Sequence, residues 1–129
     1  MRIFKNAWFE RFARKQNISD KAIAQAIQRA EQGLIDADLG GGVIKQRVAR
    51  PGQDKSGGFR TVILYRTTER AFFVYGFAKS DRDNIDEDDE VQFRKAAGYV
   101  LDLSDEQLAV LIGKGQFSEV RDHDEEIPQ

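Results

Sequence analysis

KSGGFRTVILYRTTERAFFVYGFAKSDRDN, residues 55–84, decides the fold of this chain. Its two runs, Phe59 to Arg66 and Ala71 to Ala78, are dominated by β-branched and aromatic residues. They flank Thr67-Thr68-Glu69-Arg70, the pattern of a β-hairpin. Apolar side chains fall on both faces of each run, so the sheet built on this hairpin is expected to be covered at least partly on both sides. The stretch also carries Lys55, Arg60, Arg66, Lys79 and Arg82 with very little acid. What a short β segment does with that charge is the functional question.

Upstream, Trp8, Phe9 and Phe12 recur at helical spacing, with Arg11, Arg14 and Lys15 on the remaining face, and a short strand at Arg2 to Phe4 precedes them. Ser19 is a natural N-cap for a second helix whose stripe is Ile23, Ala26, Ile27, Ala30 and Leu34, with Gly33 near its exit. These two helices are expected to pack as a hairpin on the sheet. Gly40, Gly41 and Gly42 interrupt the helical pattern, VIKQRVA (43–49) begins strand-like, and Pro51 to Gly58 reads as a loop.

Downstream, DNIDEDDE ends the last long strand and places carboxylates at a helix start, where the helix dipole favours them. Phe93, Ala96, Ala97, Val100 and Leu101 form the buried stripe of that third helix. SDEQ (104–107) is a capping box for a fourth helix with Leu108, Leu111 and Ile112 inward, ended by Gly113 and Gly115. Phe117 to Val120 adds a short edge strand. The expected class is α+β: an N-terminal helical hairpin packed on a twisted antiparallel sheet, with C-terminal helices. One domain covers 1–120, and 121–129 reads as an acidic, disordered tail.

A length of 129 residues suits a single domain. With no Cys, neither a disulfide frame nor a thiolate metal site is available. No apolar run approaches the ~18 residues of a membrane span, so the chain reads as soluble and cytoplasmic. The net charge of −2 hides an asymmetry: residues 41–80 hold 8 basic and 2 acidic side chains, whereas residues 81–129 hold 5 and 15. Uncompensated cations on a rigid sheet repel one another, and an anionic ligand relieves that repulsion.

The single His, His123, lies in the acidic tail, so no His-based triad or two-His metal site can be built. The aspartates from Asp81 do not make an EF-hand, because Ile85 and Asp86 stand where a ligand and Gly are required. GGGV (40–43) and Gly113-Lys114 lack the context of phosphate loops and read as turn and cap glycines. The basic set remains: Lys45 and Arg47 share a strand face, as do Arg60 and Arg66, with Lys55 in the loop and Lys79 and Arg82 after the third strand. On spacing alone, a solvated edge of unrelated charges explains them as readily as a ligand does.

If the ligand is RNA, cleavage by its own 2′-hydroxyl needs a base, donors for the charge growing on the phosphate and an acid for the leaving 5′-oxygen. Arg suits the second role through its planar, permanently charged fork. Lys serves as a base where burial and neighbouring cations favour its neutral form. Tyr75 or Tyr65 can donate a proton or stack on a base, although each reads first as a strand-face aromatic.

GGGVIKQRVA (40–49), DKSGGFRTVILYR (54–66), ERAFFVYGFAKSDRDNI (69–85) and SDEQLAVLIGKGQFSEV (104–120) closely resemble the RelE-like toxins of bacterial toxin–antitoxin pairs, in the branch with HigB-type toxins. The resemblance runs from about Phe4 to Val120, and its most specific part is K-S-G-G-F-R linked to F-x-Y-G-F-A-K-S-x-R-D-N. It implies the RelE fold and a ribosome-dependent mRNA endonuclease, or mRNA interferase, that works without metal or cofactor. It implies as partners the ribosome, mRNA and a cognate antitoxin, expected to be a small helix-turn-helix protein.

Carried over by position, Arg60 matches the family's phosphate-binding Arg, and Lys45 and Arg47 match the basic pair proposed for base and charge-stabilising roles. Lys55 matches a basic loop residue. The expected catalytic set is therefore Lys45, Arg47, Lys55 and Arg60, and the expected RNA-binding set Arg66, Tyr75, Lys79 and Arg82. Where several members carry a catalytic or stacking Tyr or His, this chain offers Asp86 and an acidic helix. Two alternatives stand beside the nuclease: a ParE-type DNA gyrase inhibitor, and a catalytically inactive partner of the antitoxin in a repressor complex.

Overall fold

The computed structural model describes residues 1–50 and 57–121. The elements run β1 (Arg2–Asn6), α1 (Ala7–Gln16), α2 (Asp20–Glu31), β2 (Ala37–Gly40), β3 (Val43–Val48), β4 (Phe59–Arg66), β5 (Arg70–Ala78), α3 (Glu87–Val100), α4 (Asp105–Gly113) and β6 (Phe117–Glu119). The expected central hairpin is present: β4 and β5 pair antiparallel from Phe59↔Ala78 to Arg66↔Arg70. Thr68 takes the left-handed conformation in the turn, at φ 61°.

The six strands order β2-β3-β4-β5-β1-β6, and one expectation fails here. The sheet is mixed rather than antiparallel, because β1 pairs parallel to β5, with Ile3 opposite Ala71 and Lys5 opposite Phe73. Strand composition carries no information on direction; the return path through α1 and α2 sets it. A second element was not expected at all. Ala-Asp-Leu-Gly at β2 is too short for its alternation to stand out in sequence, and it pairs with β3 at the sheet edge.

Both faces of the sheet are covered. On one, Phe9, Ala13, Ile23, Ala26, Ile27 and Ala30 of α1 and α2 pack on Ile44, Val48, Phe59, Ile63 and Phe73. Asn6 caps α1 by accepting from the Phe9 N–H at 2.7 Å, and Ser19 caps α2 by accepting from Ala22 at 3.0 Å. Leu34, expected in the α2 stripe, lies beyond the helix end and is 59% exposed. The buried Gln46 ties this layer to the sheet, donating to the Ala26 carbonyl and accepting from the Asp36 N–H. Tyr65 donates its hydroxyl to Glu31, and burial pushes that phenol's pKa up.

On the other face, Ala97, Leu101 and Leu108 of the C-terminal region pack on Val43, Val62, Leu64, Phe72 and Phe77. Asp86 and Asp89 form the capping box of α3, and Ser104 and Gln107 that of α4. Gly42, at φ +86°, leaves room for α3's end: a Cβ there would stand 2.9 Å from Leu101 Cδ1. Phe4, Phe9, Phe59, Phe72 and Phe73 are fully buried, and truncating any one to Ala costs about 3–5 kcal/mol. The Pro51–Ser56 part of the loop and nearly all of the expected acidic tail lie outside the described residues.

Candidate anion-binding face

Strand alternation puts Lys45, Arg47, Arg60, Val62, Leu64 and Arg66 on the α3 side of the sheet. Across β3, β4 and β5, one row reads Arg47–Arg60–Phe77 and the next Lys45–Val62–Tyr75, with the bulge near Val62 bringing Tyr75 into register. The helix covers only part of this face. Ala97 and Leu101 sit over the end with Val43, Leu64 and Phe72, and Arg94 donates to the Leu39 carbonyl at 3.1 Å. Among the described residues α3 does not cover the end carrying Arg47 and Arg60, where Arg47 is exposed and Arg60 half-buried.

There Lys45, Arg47 and Arg60 line a cleft of about 120 Å³ together with Asp36, Ala37 and Gln46. Arg47 and Arg60 stand directly opposite each other, an unfavourable placement for like charges. The Asp36 carboxylate in the same cleft makes no ion pair with either guanidinium: its Oδ2 accepts from the Arg47 backbone N–H at 2.7 Å and lies 4.0 Å from Arg29. Arg60 Nη1 is buried and has no hydrogen-bond partner. Lys45 Nζ donates to Asn84 Oδ1 at 2.8 Å. The cations thus have neutral partners or none among the described residues.

The segment after β5 folds back over this end. Arg82 donates from Nη1 to the Tyr75 hydroxyl at 2.9 Å, from Nε to the Asn84 carbonyl at 2.8 Å and from Nη2 to Asp89 Oδ2 at 2.5 Å. These bonds, with Tyr75 and then Asp89 as the main causes, raise the Arg82 pKa further, while the same contact holds the Asp89 carboxyl below its ordinary value. The Tyr75 ring lies 4.8 Å from that of Trp8 and 6.0 Å from that of Phe93. Lys79 is exposed beside a second cleft of about 140 Å³, lined also by Arg50, Gly57, Gly58, Ala78 and Ser80.

Of the residues singled out in sequence, the structure therefore gathers Lys45, Arg47, Arg60, Tyr75 and Arg82 on one open end, with Lys79 at its rim. Lys55 lies outside the described residues. Arg66 is not part of the group. Six residues along β4 from Arg60, about 20 Å away, it donates to the Leu101 carbonyl at 2.9 Å and to Asp102 at 2.8 Å. Sequence reasoning missed Asn84 and Asp89: the Lys45 partner of Asn84 is remote in the chain, and Asp89 lay within what read as carboxylates at a helix start. Missed too was a larger cavity of about 520 Å³ between α3 and the β1 side of the sheet, lined by Trp8, Leu64, Val74, Phe93, Val100 and Phe117 among others. Among the described residues no charged side chain lines it.

The chemistry this open end supports is binding of a phosphate: a forked guanidinium with an unsatisfied buried nitrogen, a second guanidinium across the strand and an ammonium nearby. A family model described as the RelE toxin of the RelE/RelB toxin-antitoxin system matches residues 1–120 of the chain. No curated protein and no solved structure matches significantly.

Proposed function

We propose, because the chain belongs to the RelE toxin family, that this toxin stops translation as an endonuclease cleaving mRNA on the ribosome. The family implies a cognate antitoxin as partner, and a small helix-turn-helix protein is the proposed form of it. No helix among the described residues is long and apolar enough to cross a membrane.

The observation that carries the reading is the Arg47–Arg60 cross-strand pair, whose guanidinium groups have no ion-paired carboxylate among the described residues, with Arg60 Nη1 buried and lacking a hydrogen-bond partner among them. In the proposed reaction the RNA 2′-oxygen attacks the adjacent phosphorus as its proton passes to the neutral amine form of Lys45, and the P–O5′ bond breaks to leave a 2′,3′-cyclic phosphate and a 5′-oxygen that takes its proton from solvent. Arg60 and Arg47 take the charge that grows on the phosphoryl oxygens. Lys55 belongs to the same proposal through its place five residues before Arg60. Tyr75 and Lys79 flank the strand that the arginines hold.

The test is to induce the wild type and Arg60→Ala separately, without antitoxin, in a bacterial host and follow incorporation of labelled methionine, uridine and thymidine over the first minutes. Methionine alone falls promptly with the wild type and not with the variant. An early fall in thymidine instead would point to DNA topology and overturn the nuclease. One arrangement favours a second reading, that of a non-catalytic antitoxin partner: Asp89 already occupies Arg82 and α3 covers half of the face. That reading requires harmless expression of the wild type by itself.

A further inference from the structure

Lys45 does not stand free. Its Nζ is 2.8 Å from Asn84 Oδ1, and the same oxygen accepts from the Ile85 N–H at 2.9 Å. Asn84 belongs to a segment with no regular structure between Ala78 and the α3 N-cap, so something must hold it. Two contacts do. Ile85, 5% exposed, is buried in the layer beneath α3. The Arg82 guanidinium grips the Asn84 carbonyl, the Tyr75 hydroxyl and Asp89 at once. Asp89 is itself fixed, because its carboxylate accepts from the Asp86 N–H at 3.3 Å and completes the α3 capping box.

A hydrogen-bonded chain therefore runs from the first turn of α3 through Asp89 and Arg82 to Asn84 and ends on Lys45. A long, flexible Lys side chain loses much rotamer freedom when held in one geometry, and a general base works only when held within reach of its proton.

We propose that Asn84 is a positioning residue for Lys45, held in place by Arg82 and Asp89, and that Arg82 serves this support rather than RNA contact. Asn84 is suited to the task because its amide oxygen accepts from the ammonium without adding a charge. The proposal rests on the nuclease reading, in which Lys45 takes the 2′-hydroxyl proton.

The experiment measures cleavage of mRNA on programmed ribosomes by the wild type, Asn84→Ala, Lys45→Ala and the double variant, with Arg60→Ala as the reference for lost phosphate binding. Asn84→Ala is expected to lower kcat about 10- to 100-fold, the scale of a misplaced catalytic group, with KM unchanged. In the Lys45→Ala background the same substitution is expected to have no further effect, because its influence passes through Lys45. Asp89→Asn is expected to give a smaller fall of the same kind.

An Asn84→Ala effect that persists without Lys45, or appears in KM alone, would make Asn84 a structural or RNA-contacting residue and overturn the proposal. Full activity of Asn84→Ala would overturn it as well, leaving the nuclease reading intact so long as Arg60→Ala is inactive. A wild type that cleaves nothing on ribosomes would sink both. Thermal melting of each variant separates a lost contact from a lost fold.

Discussion

Two arginine pairs face each other across strands of the same sheet, on the same side, and meet opposite fates. Arg66 and Arg70 stand opposite each other beside the hairpin turn, and Arg47 and Arg60 near the far end of β3 and β4. The first pair is neutralised from within. Arg66 binds the Leu101 carbonyl and Asp102, while Arg70 binds the Leu103 carbonyl at 2.5 Å and Asp105 at 2.7 Å. The α3–α4 connection thus supplies two carbonyls and two carboxylates to one end of the face. Among the described residues nothing comparable reaches the other end, where Arg47 and Arg60 stand opposite each other. An arginine pair that the fold satisfies is a clasp for a helix; one that it leaves unsatisfied is a place for an external anion. Arg82 lies between the two cases, at the open end but already bound by Asp89.

The sharpest way to break this contrast is to give the open pair its own acid. Arg47→Glu is expected to reduce mRNA cleavage about 10²- to 10³-fold, the scale of removing a preorganised donor. It should also leave the melting temperature unchanged or slightly raised, since an opposite-charge cross-strand pair contributes about 0.2–1 kcal/mol. A large drop in stability would show that Arg47 is structural after all.

The closed pair should behave in the reverse sense. Arg70→Ala, whose side chain is only 14% exposed, is expected to destabilise the fold by about 1–3 kcal/mol through its lost bonds. Arg66→Ala, 40% exposed, is expected to cost less, about 1 kcal/mol. Denaturant unfolding measures both, and the folded fraction of each should retain cleavage.

The smallest effect concerns the intermediate case. Arg82 holds the Asp89 carboxyl below its ordinary value, and the Asp89 contribution to stability is therefore present above the ordinary aspartate range. It is lost as pH falls through the lowered folded value. Melting temperatures of wild type and Asp89→Asn should differ slightly at neutral pH and converge in acid. A difference that stays constant into acid would mean that the ion pair is not its cause.

Much of the fold was legible because local rules and tertiary outcome agree. The β4–β5 runs, the Ser19 cap and the Ser104–Gln107 capping box each carry their signal within a few residues. The parallel β1–β5 pair was not legible, since its partners lie 68 residues apart and a strand's composition does not state its direction. β2 escaped notice for a different reason: its partner β3 follows at once, but four residues are too few to carry a readable strand pattern. In the candidate site, the alternation of Lys45 with Arg47 and the placement of Arg60 were readable from period-2 geometry. The exclusion of Arg66 was not, because alternation puts it on the right face and only the α3–α4 connection takes it away.

By itself, then, the sequence determined the long strands and the helices, though not β2, together with which face of β3 and β4 carries the cations and that the middle segment has too few acids to balance them. Each of these follows from spacing or counting along the chain. Only the tertiary structure decided which cations remain unpaired, because that depends on where the carboxylates of the acidic C-terminal third come to rest. Asp102, Asp105 and Asp89 were anonymous members of that third. Packing of α3 over one end of the sheet sends two of them to the closed end and one to Arg82, and leaves Arg47 and Arg60 opposite each other without an ion-paired acid among the described residues.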